Sequence, residues 1–98
     1  MKRDEVLQKL KQAEPVLRAQ GVARVALFGS FARGDARPDS DIDIMVEIAP
    51  EARMDLFRYV GIVQSVEELF ATPVDVVNRE VLKPFIRPSA ERDAVYAF

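Results

Sequence analysis

The chain has 98 residues, of which 49% are hydrophobic and 31% charged, so we expect one globular domain spanning residues 1–98. Its net charge of −2 does not fit a protein that grips nucleic acid over its whole surface, and direct nucleic-acid binding is not expected. The absence of cysteine and histidine excludes disulfides, thiolate chemistry, a histidine base and the usual zinc sites. No apolar run approaches the length of a membrane span and the N-terminus does not resemble a signal, so we expect a cytoplasmic protein without a membrane partner.

The first part of the chain is predicted to be helical. Asp4 is expected to cap this helix, because a carboxylate at that position can accept a hydrogen bond from a free backbone N–H. Pro15 lacks an N–H and predicts a kink or a restart, and Gly21 is expected to end the element. The apolar residues that recur at helical spacing are Val6, Leu7, Leu10, Ala13 and Leu17.

A strand is predicted from Arg24 to Phe28, and Gly29 breaks it. Gly29 could be an ordinary turn glycine, or its missing Cβ could let a phosphate approach the backbone. We favour the phosphate interpretation, because a pair of aspartates follows. Ser30 could cap the short helical turn after Gly29 or offer its hydroxyl to an anion, and the two roles are compatible.

Arg33 has two interpretations that the sequence does not separate. Its guanidinium could bind a phosphate, or it could pair with Asp35 or Asp39 and brace the loop that follows. That loop runs from Ala36 to Ser40, where Ser40 is expected to form a local hydrogen bond.

A second strand is predicted from Asp41 to Ile48. Residues alternate between the faces of a strand, so Asp41 and Asp43 point the same way while the isoleucines and Val46 point into a core. Two neighbouring carboxylates raise each other's pKa unless a cation lies between them, and Mg²⁺ prefers carboxylate and phosphate oxygens. Glu47 lies further along the aspartate face and is expected to be solvated.

A helix from Arg53 to Phe70 should follow, with Gly61 marking close packing against a neighbour. A strand from Val74 to Val77 comes next and places Asp75 on the face opposite Val74 and Val76. Aspartate is disfavoured in strands, so Asp75 is either a solvated edge position or a functional residue. The predicted inward residues of the helix are Leu56, Val60, Val63, Val66 and Phe70.

The last part of the chain gives weaker patterns. Residues 79–82 are predicted to form a helical turn, and a short or irregular helix is expected between Pro84 and Asp93. Residues 94–98 have β-type composition and could add an edge strand.

Two segments together resemble the signature of the minimal nucleotidyltransferases in the DNA-polymerase-beta-like nucleotidyltransferase superfamily. They are Gly29-Ser30-Phe31-Ala32-Arg33-Gly34 and Ser40-Asp41-Ile42-Asp43-Ile44. The resemblance implies an α/β (α+β) fold over nearly the whole chain, with helices packed on a small mixed β-sheet. It also implies that Asp75 is the third carboxylate of a catalytic triad with Asp41 and Asp43.

The resemblance implies transfer of a nucleoside monophosphate, expected to be AMP from ATP, to an acceptor hydroxyl. Asp41 and Asp43 would hold two Mg²⁺ ions, and Asp75 would bind the ion that activates the acceptor. Gly29 and Ser30, with Arg33 as a further candidate, would bind the β and γ phosphates of the NTP.

Minimal members of the superfamily resemble MntA-like antitoxins, whose partner is an α-helical HEPN toxin. That resemblance implies transfer of AMP to a tyrosine of the toxin. Two alternatives remain open from the sequence: a binding module that neutralises a partner by contact, and a small-molecule nucleotidyltransferase that works as a homodimer.

Overall fold

The structure is a computed structural model that describes residues 1–82 and 84–98. One mixed sheet contains all four strands of this described part. Its strand order is β3-β2-β1-β4. The strands β2 and β1 are antiparallel, β2 and β3 are parallel, and β4 pairs antiparallel with β1. The expected mixed α/β fold is therefore confirmed. The strands are β1 (Val22–Phe28), β2 (Ile42–Ile48), β3 (Val74–Asn78) and β4 (Val95–Tyr96).

Two helices precede the sheet, α1 (Arg3–Gln12) and α2 (Glu14–Ala19). The predicted restart is confirmed, because Pro15 lies in the first turn of α2, where its missing N–H costs no helical hydrogen bond. The predicted cap is wrong: Lys2 occupies the N-cap position and no side chain caps the helix. Asp4 lies inside the first turn, where its charge still favours the positive end of the helix dipole.

The main core lies on one face of the sheet. From β2 it receives Ile42, Ile44 and Val46, all fully buried, as the period of two predicts. The helices α1, α2 and α4 (Leu56–Glu67) cover this face with further apolar side chains. No helix in the described part of the chain is long and apolar enough to cross a membrane.

The predicted inward face of α4 is partly wrong. Ile62 and Val66 are fully buried, whereas Leu56 is 73% exposed and Val60 is 43% exposed. Helical spacing gives the width of an apolar stripe, but contacts with the sheet decide which edge of it is buried. The expected close packing of Gly61 is also wrong, because a Cβ built on Gly61 meets no atom within 4 Å.

The opposite face of the sheet is covered by a 3₁₀ turn at Arg79–Val81 and by α5 (Arg87–Asp93). Met45 of β2 points to this side and is only 1% exposed, and Ala90 of α5 is 4% exposed. The predicted helical turn, short helix and edge strand are all present, with β4 beside β1.

Glu47 is not solvated as expected. Its side chain is 20% exposed, and its Oε1 lies 4.0 Å from an Arg79 guanidinium nitrogen. Arg79 also pairs with Glu91 of α5 at 2.7 Å. The 3₁₀ turn folds Arg79 back over β2, so the aspartate face is closed at this end by ion pairs.

Candidate active site

The structure brings Asp43 and Asp75 together. Asp43 lies opposite Asp75 in the parallel ladder between β2 and β3, so both carboxylates project from the same face of neighbouring strands. Asp41 lies just before β2 and is exposed. Of the three predicted aspartates, Asp43 and Asp75 thus form a pair across neighbouring strands, and Asp41 lies directly before β2.

The pKa of Asp43 is raised above the ordinary aspartate value. The largest cause is burial of the carboxyl group, and the charges of Asp75 and Asp41 add to it, while Arg33 acts in the opposite direction. Without a counter-ion, the ionised form of Asp43 is therefore disfavoured in the folded chain. A cation at this position would relieve that cost.

Replacing Asp43 by asparagine should raise the melting temperature of the metal-free protein at pH 7. A raised pKa in the folded state means that the unfolded chain ionises first, so the parental protein loses stability as the pH rises from about 3.8 towards the folded-state pKa. The advantage of Asp43→Asn should therefore be present at neutral pH and absent below pH 3.8. Thermal melts by circular dichroism at both pH values measure this difference.

Asp39→Asn is the matched control for this experiment, because Asp39 is exposed on the loop before β2. Its replacement should change the melting temperature little at either pH. A loss of stability in Asp43→Asn at neutral pH would contradict the explanation given for the raised pKa.

The donor chemistry of the site fits a hard divalent cation. The available ligands are carboxylate oxygens, and the chain has no histidine or cysteine to attract a softer metal. Within residues 1–82 and 84–98, no three or more acidic side chains are already grouped closely enough to hold a metal ion. Asp43 and Asp75 thus provide two neighbouring carboxylates, and metal binding by the three aspartates stays a prediction.

Gly29 lies directly against Asp43. Its φ is +73°, which disfavours any residue with a side chain, and a Cβ built on it would overlap the Asp43 carboxylate. The sequence suggested that the missing Cβ makes room for a phosphate; in the structure it makes room for Asp43. In both interpretations the missing side chain of Gly29 leaves room for a component of the site.

Ser30 lies inside the short helix α3 (Gly29–Arg33), and Phe28 occupies the N-cap position without a side-chain hydrogen bond. The interpretation of Ser30 as a cap is therefore wrong. Its possible contact with an anion stays a prediction. Ser40, by contrast, forms the expected local bond, since its hydroxyl accepts from the Arg37 N–H at 2.8 Å.

Arg33 braces two elements. Its guanidinium donates to Asp35 at 3.2 Å and to Asp93 of α5 at 2.8 Å. The bracing interpretation had named Asp35 correctly, and Asp93 takes the place of Asp39. The positive charge of Arg33 also opposes the rise in the pKa of Asp43 that burial and the neighbouring aspartates cause.

Two residues near the site were missed by sequence reasoning. Asp93 contacts Arg33 from a position sixty residues along the chain, and no local pattern predicts that pair. Tyr59 of α4 has a raised pKa, first because it is partly buried and second because the charge of Asp75 disfavours a phenolate. In the sequence, the only sign of this role was that Tyr59 lies next to Val60, one of the predicted inward residues of the helix.

Three cavities of the described chain are lined by residues other than Asp41, Asp43 and Asp75. One of about 570 Å³ lies between the first two helices and α4, and its lining includes Val16, Ser65 and Glu68. Another of about 460 Å³ is lined by residues that include Phe31 and Arg33. The candidate site lies instead on the sheet face opposite the main core, from which Asp43 and Asp75 project.

The sequence profile of a family described as a nucleotidyltransferase domain matches residues 3–97. The chain belongs to the nucleotidyltransferase domain family. Among curated relatives, the protein adenylyltransferase MntA of Thermococcus cleftensis is 36% identical over 78% of this nucleotidyltransferase domain and 75% of its own length.

Solved structures agree with this assignment. One solved structure is described as a provisionally assigned minimal nucleotidyltransferase. It superposes with a TM-score of 0.80 at 30% sequence identity, and the match covers 97% of this nucleotidyltransferase domain and 95% of that chain. A chain from the complex of a tri-AMPylated HEPN toxin of Shewanella oneidensis with an MNT antitoxin gives a TM-score of 0.63 at 18% identity. That match covers 94% of this nucleotidyltransferase domain and 71% of the other chain. The second likeness shows a shared fold.

Proposed function

We propose that this nucleotidyltransferase transfers AMP from ATP to a tyrosine hydroxyl of a partner HEPN toxin and so acts as an antitoxin. The observation that carries the proposal is the register pairing of Asp43 with Asp75, with Gly29 packed against the first of them. A pair of carboxylates at one end of a glycine turn is suited to nucleotidyl transfer, in which charge must be neutralised and a hydroxyl aligned.

In the proposed reaction the tyrosine oxygen attacks the α-phosphorus of ATP, the bond to the bridging oxygen breaks, and pyrophosphate leaves. Asp75 would orient the attacking hydroxyl and accept its proton, because its edge strand leaves it exposed. The turn at Gly29 and Ser30 would direct backbone N–H groups and a hydroxyl towards the leaving phosphates.

Divalent metal is part of the proposal. Asp41, Asp43 and Asp75 would hold Mg²⁺, as one or two ions, and the metal would supply positive charge that offsets the triphosphate. The raised pKa of Asp43 supports this assignment, because three neighbouring carboxylates would otherwise repel the substrate.

Support for a protein acceptor comes from the relatives. The protein adenylyltransferase MntA of Thermococcus cleftensis is similar over most of the chain, and an MNT antitoxin of the same fold occurs in complex with a tri-AMPylated HEPN toxin.

The proposal is tested by producing the chain together with the protein encoded next to it and measuring the intact mass of both. We expect one or more added AMP groups on the partner, and none when Asp75→Asn replaces the parental chain. Tryptic mapping should assign the AMP to a tyrosine. An unmodified partner that is nevertheless neutralised would indicate inhibition by contact and contradict the proposal.

The metal requirement gives a separate prediction. The chain should bind NTP with Mg²⁺ or Mn²⁺ and should retain no zinc, because its possible ligands are all oxygen atoms. Calorimetry with ATP before and after addition of Mg²⁺ measures the first part, and elemental analysis after dialysis against a chelator measures the second. Stoichiometric zinc after dialysis would contradict the assigned ligand set.

A further inference from the structure

Arg33 forms an ion pair that joins the turn after Gly29 to the helix α5. Its Nη1 lies 2.8 Å from Asp93 Oδ2, and its Nε lies 3.2 Å from Asp35 Oδ2. Asp35 follows Arg33 by two residues and moves with it, whereas Asp93 belongs to a separate helix. Only the contact with Asp93 therefore depends on how α5 is placed.

The Arg33 side chain lies on the face of α3 that borders the site. Residues four apart share one face of a helix, and long side chains tilt towards its N-terminal end, so Arg33 extends along the face of Gly29. Gly29 itself lies against Asp43, and the charge of Arg33 acts on that carboxylate. The Arg33 side chain is 47% exposed, and its Nη2 forms no hydrogen bond within residues 1–82 and 84–98. A guanidinium with unused donors thus lies beside the place where the proposed function needs a triphosphate.

Asp93 makes this neighbourhood less attractive to phosphate. Arg33 contributes one positive charge and its two carboxylate partners contribute two negative charges, which leaves a net charge of −1. The proposed metal would offset the charges of Asp41, Asp43 and Asp75, but not that of Asp93. The Arg33 donor that bonds to Asp93 is also occupied. Phosphate and Asp93 would therefore compete for the same guanidinium.

Asp93 in turn depends on Arg33. It is the last residue of α5, where the helix dipole disfavours a negative charge. Arg33 is the only cation that pairs with it in the described part of the chain. Glu91 is held separately by Arg79 and Arg87, so α5 keeps that attachment when the contact with Arg33 breaks. Loss of Arg33 would thus release only the C-terminal end of α5.

We propose that Asp93 and the phosphate groups of the nucleotide compete for Arg33. In the nucleotide-free chain, the pair of Arg33 with Asp93 opposes nucleotide binding. In the nucleotide-bound chain, Arg33 contacts phosphate and the C-terminal end of α5 is released. Because coupling between two contacts is reciprocal, each weakens the other by the same factor. Asp93 is therefore an internal restraint on the site, and it transmits nucleotide binding to α5 and to β4, which follows it.

The competition rests on the proposed function only in that a nucleoside triphosphate is the ligand. AMP transfer is measured with the partner protein, whereas the competition is measured on the chain alone. Transfer of AMP by a chain in which Asp93 does not affect nucleotide binding would remove the competition and keep the function. A confirmed competition without AMP transfer would do the reverse.

The first test measures Mg·ATP binding to the chain alone by calorimetry. Asp93→Asn should tighten binding about two- to fivefold, the range expected when one exposed ion pair is removed. Glu91→Gln is the matched control, because it breaks the other ion pairs of α5 without touching Arg33, and it should leave the affinity unchanged. Unchanged or weaker binding by Asp93→Asn would overturn the proposal, and so would equal tightening by Glu91→Gln.

A double-mutant cycle separates the competition from a general effect of charge. Arg33→Gln should weaken Mg·ATP binding, and adding Asp93→Asn to it should produce little further change, because the contested cation is absent. Magnesium pyrophosphate, a probe without adenosine, should give the same order of affinities, since only phosphate is involved. Equal tightening by Asp93→Asn with and without Arg33 would contradict the proposal.

Hydrogen exchange on the parental chain gives a test that needs no substitution. Saturating Mg·ATP should speed exchange in residues 87–96, where the Ala94 N–H donates to the Glu91 carbonyl at 3.3 Å. Exchange in the central strand β2 is the internal reference and should not rise. The Asp93→Asn chain should exchange fast in residues 87–96 with or without nucleotide. Unchanged or slower exchange of this segment when the parental chain binds Mg·ATP would show that Arg33 keeps Asp93, and would overturn the proposal.

Discussion

Replacement of Asp75 by asparagine should slow nucleotide transfer by at least about a hundredfold, the loss expected for a positioned base. The same variant should still bind Mg·ATP. Asp75 lies on the edge strand β3, opposite Asp43, and we expect it to act mainly on the attacking hydroxyl. A group used mainly in the transition state affects turnover more than substrate binding.

Asp41→Asn and Asp43→Asn should behave differently from Asp75→Asn. Asp43 lies on β2 and Asp41 directly before it, where we expect the metal that arrives with the triphosphate. Their replacement should weaken both Mg·ATP binding and turnover. Calorimetry of Mg·ATP binding, beside a transfer assay on the partner protein, separates the two effects.

All three asparagine variants should fold, since each removes a like charge from a crowded face of the sheet. Circular dichroism is the control for that assumption. If Asp75→Asn transfers AMP at the parental rate, Asp75 is a surface residue and the proposed triad reduces to Asp41 and Asp43.

Gly29→Val should abolish nucleotide binding. The new side chain would overlap the Asp43 carboxylate and would have to adopt a φ of +73°, so both Asp43 and the turn must move. Gly29→Ala should show the same effect more weakly, because its Cβ alone already overlaps Asp43. Titration with Mg·ATP measures binding, and circular dichroism confirms that the variant is folded.

Gly34→Ala is a matched control for the glycine turn. Gly34 also has a positive φ, of +81°, but a Cβ built there meets no atom within 4 Å. It should therefore show only the cost of a strained backbone, about 1–2 kcal/mol, and bind nucleotide normally. Equal losses of binding in Gly29→Ala and Gly34→Ala would show that strain in the turn, rather than contact with Asp43, explains the effect.

The aspartate site was predictable in part, because it depends on two kinds of information. Alternation along β2 placed Asp43 opposite the core side without reference to the rest of the chain. Alternation does not say which strand lies next to β2 or in what register, so the neighbouring position of Asp75 rested on the resemblance alone. The parallel pairing of β2 with β3 supplies that missing link.

The errors share a physical cause. The buried side of α4 and the partner Asp93 of Arg33 depend on contacts between segments far apart in sequence, which local spacing does not encode. The predicted cap at Asp4 came from an intrinsic preference, and the predicted solvation of Glu47 from its position far along the aspartate face. The distant Arg79 changes the second outcome by pairing with Glu47. Local patterns therefore predicted the elements and the two faces of β2, whereas the buried side of α4 and the distant ion pairs depend on long-range contacts.

Two ion pairs join the helix α5 to the rest of the fold, one from Asp93 to Arg33 and one from Glu91 to Arg79, beside the buried Ala90. These side chains are partly exposed, so dissolved salt screens them over distances of about 8–10 Å. The main core on the other side of the sheet is apolar and is not weakened by salt in this way. The two sides of one sheet thus differ in their sensitivity to ionic strength, and the ion pairs that salt weakens lie on the side that carries the aspartates.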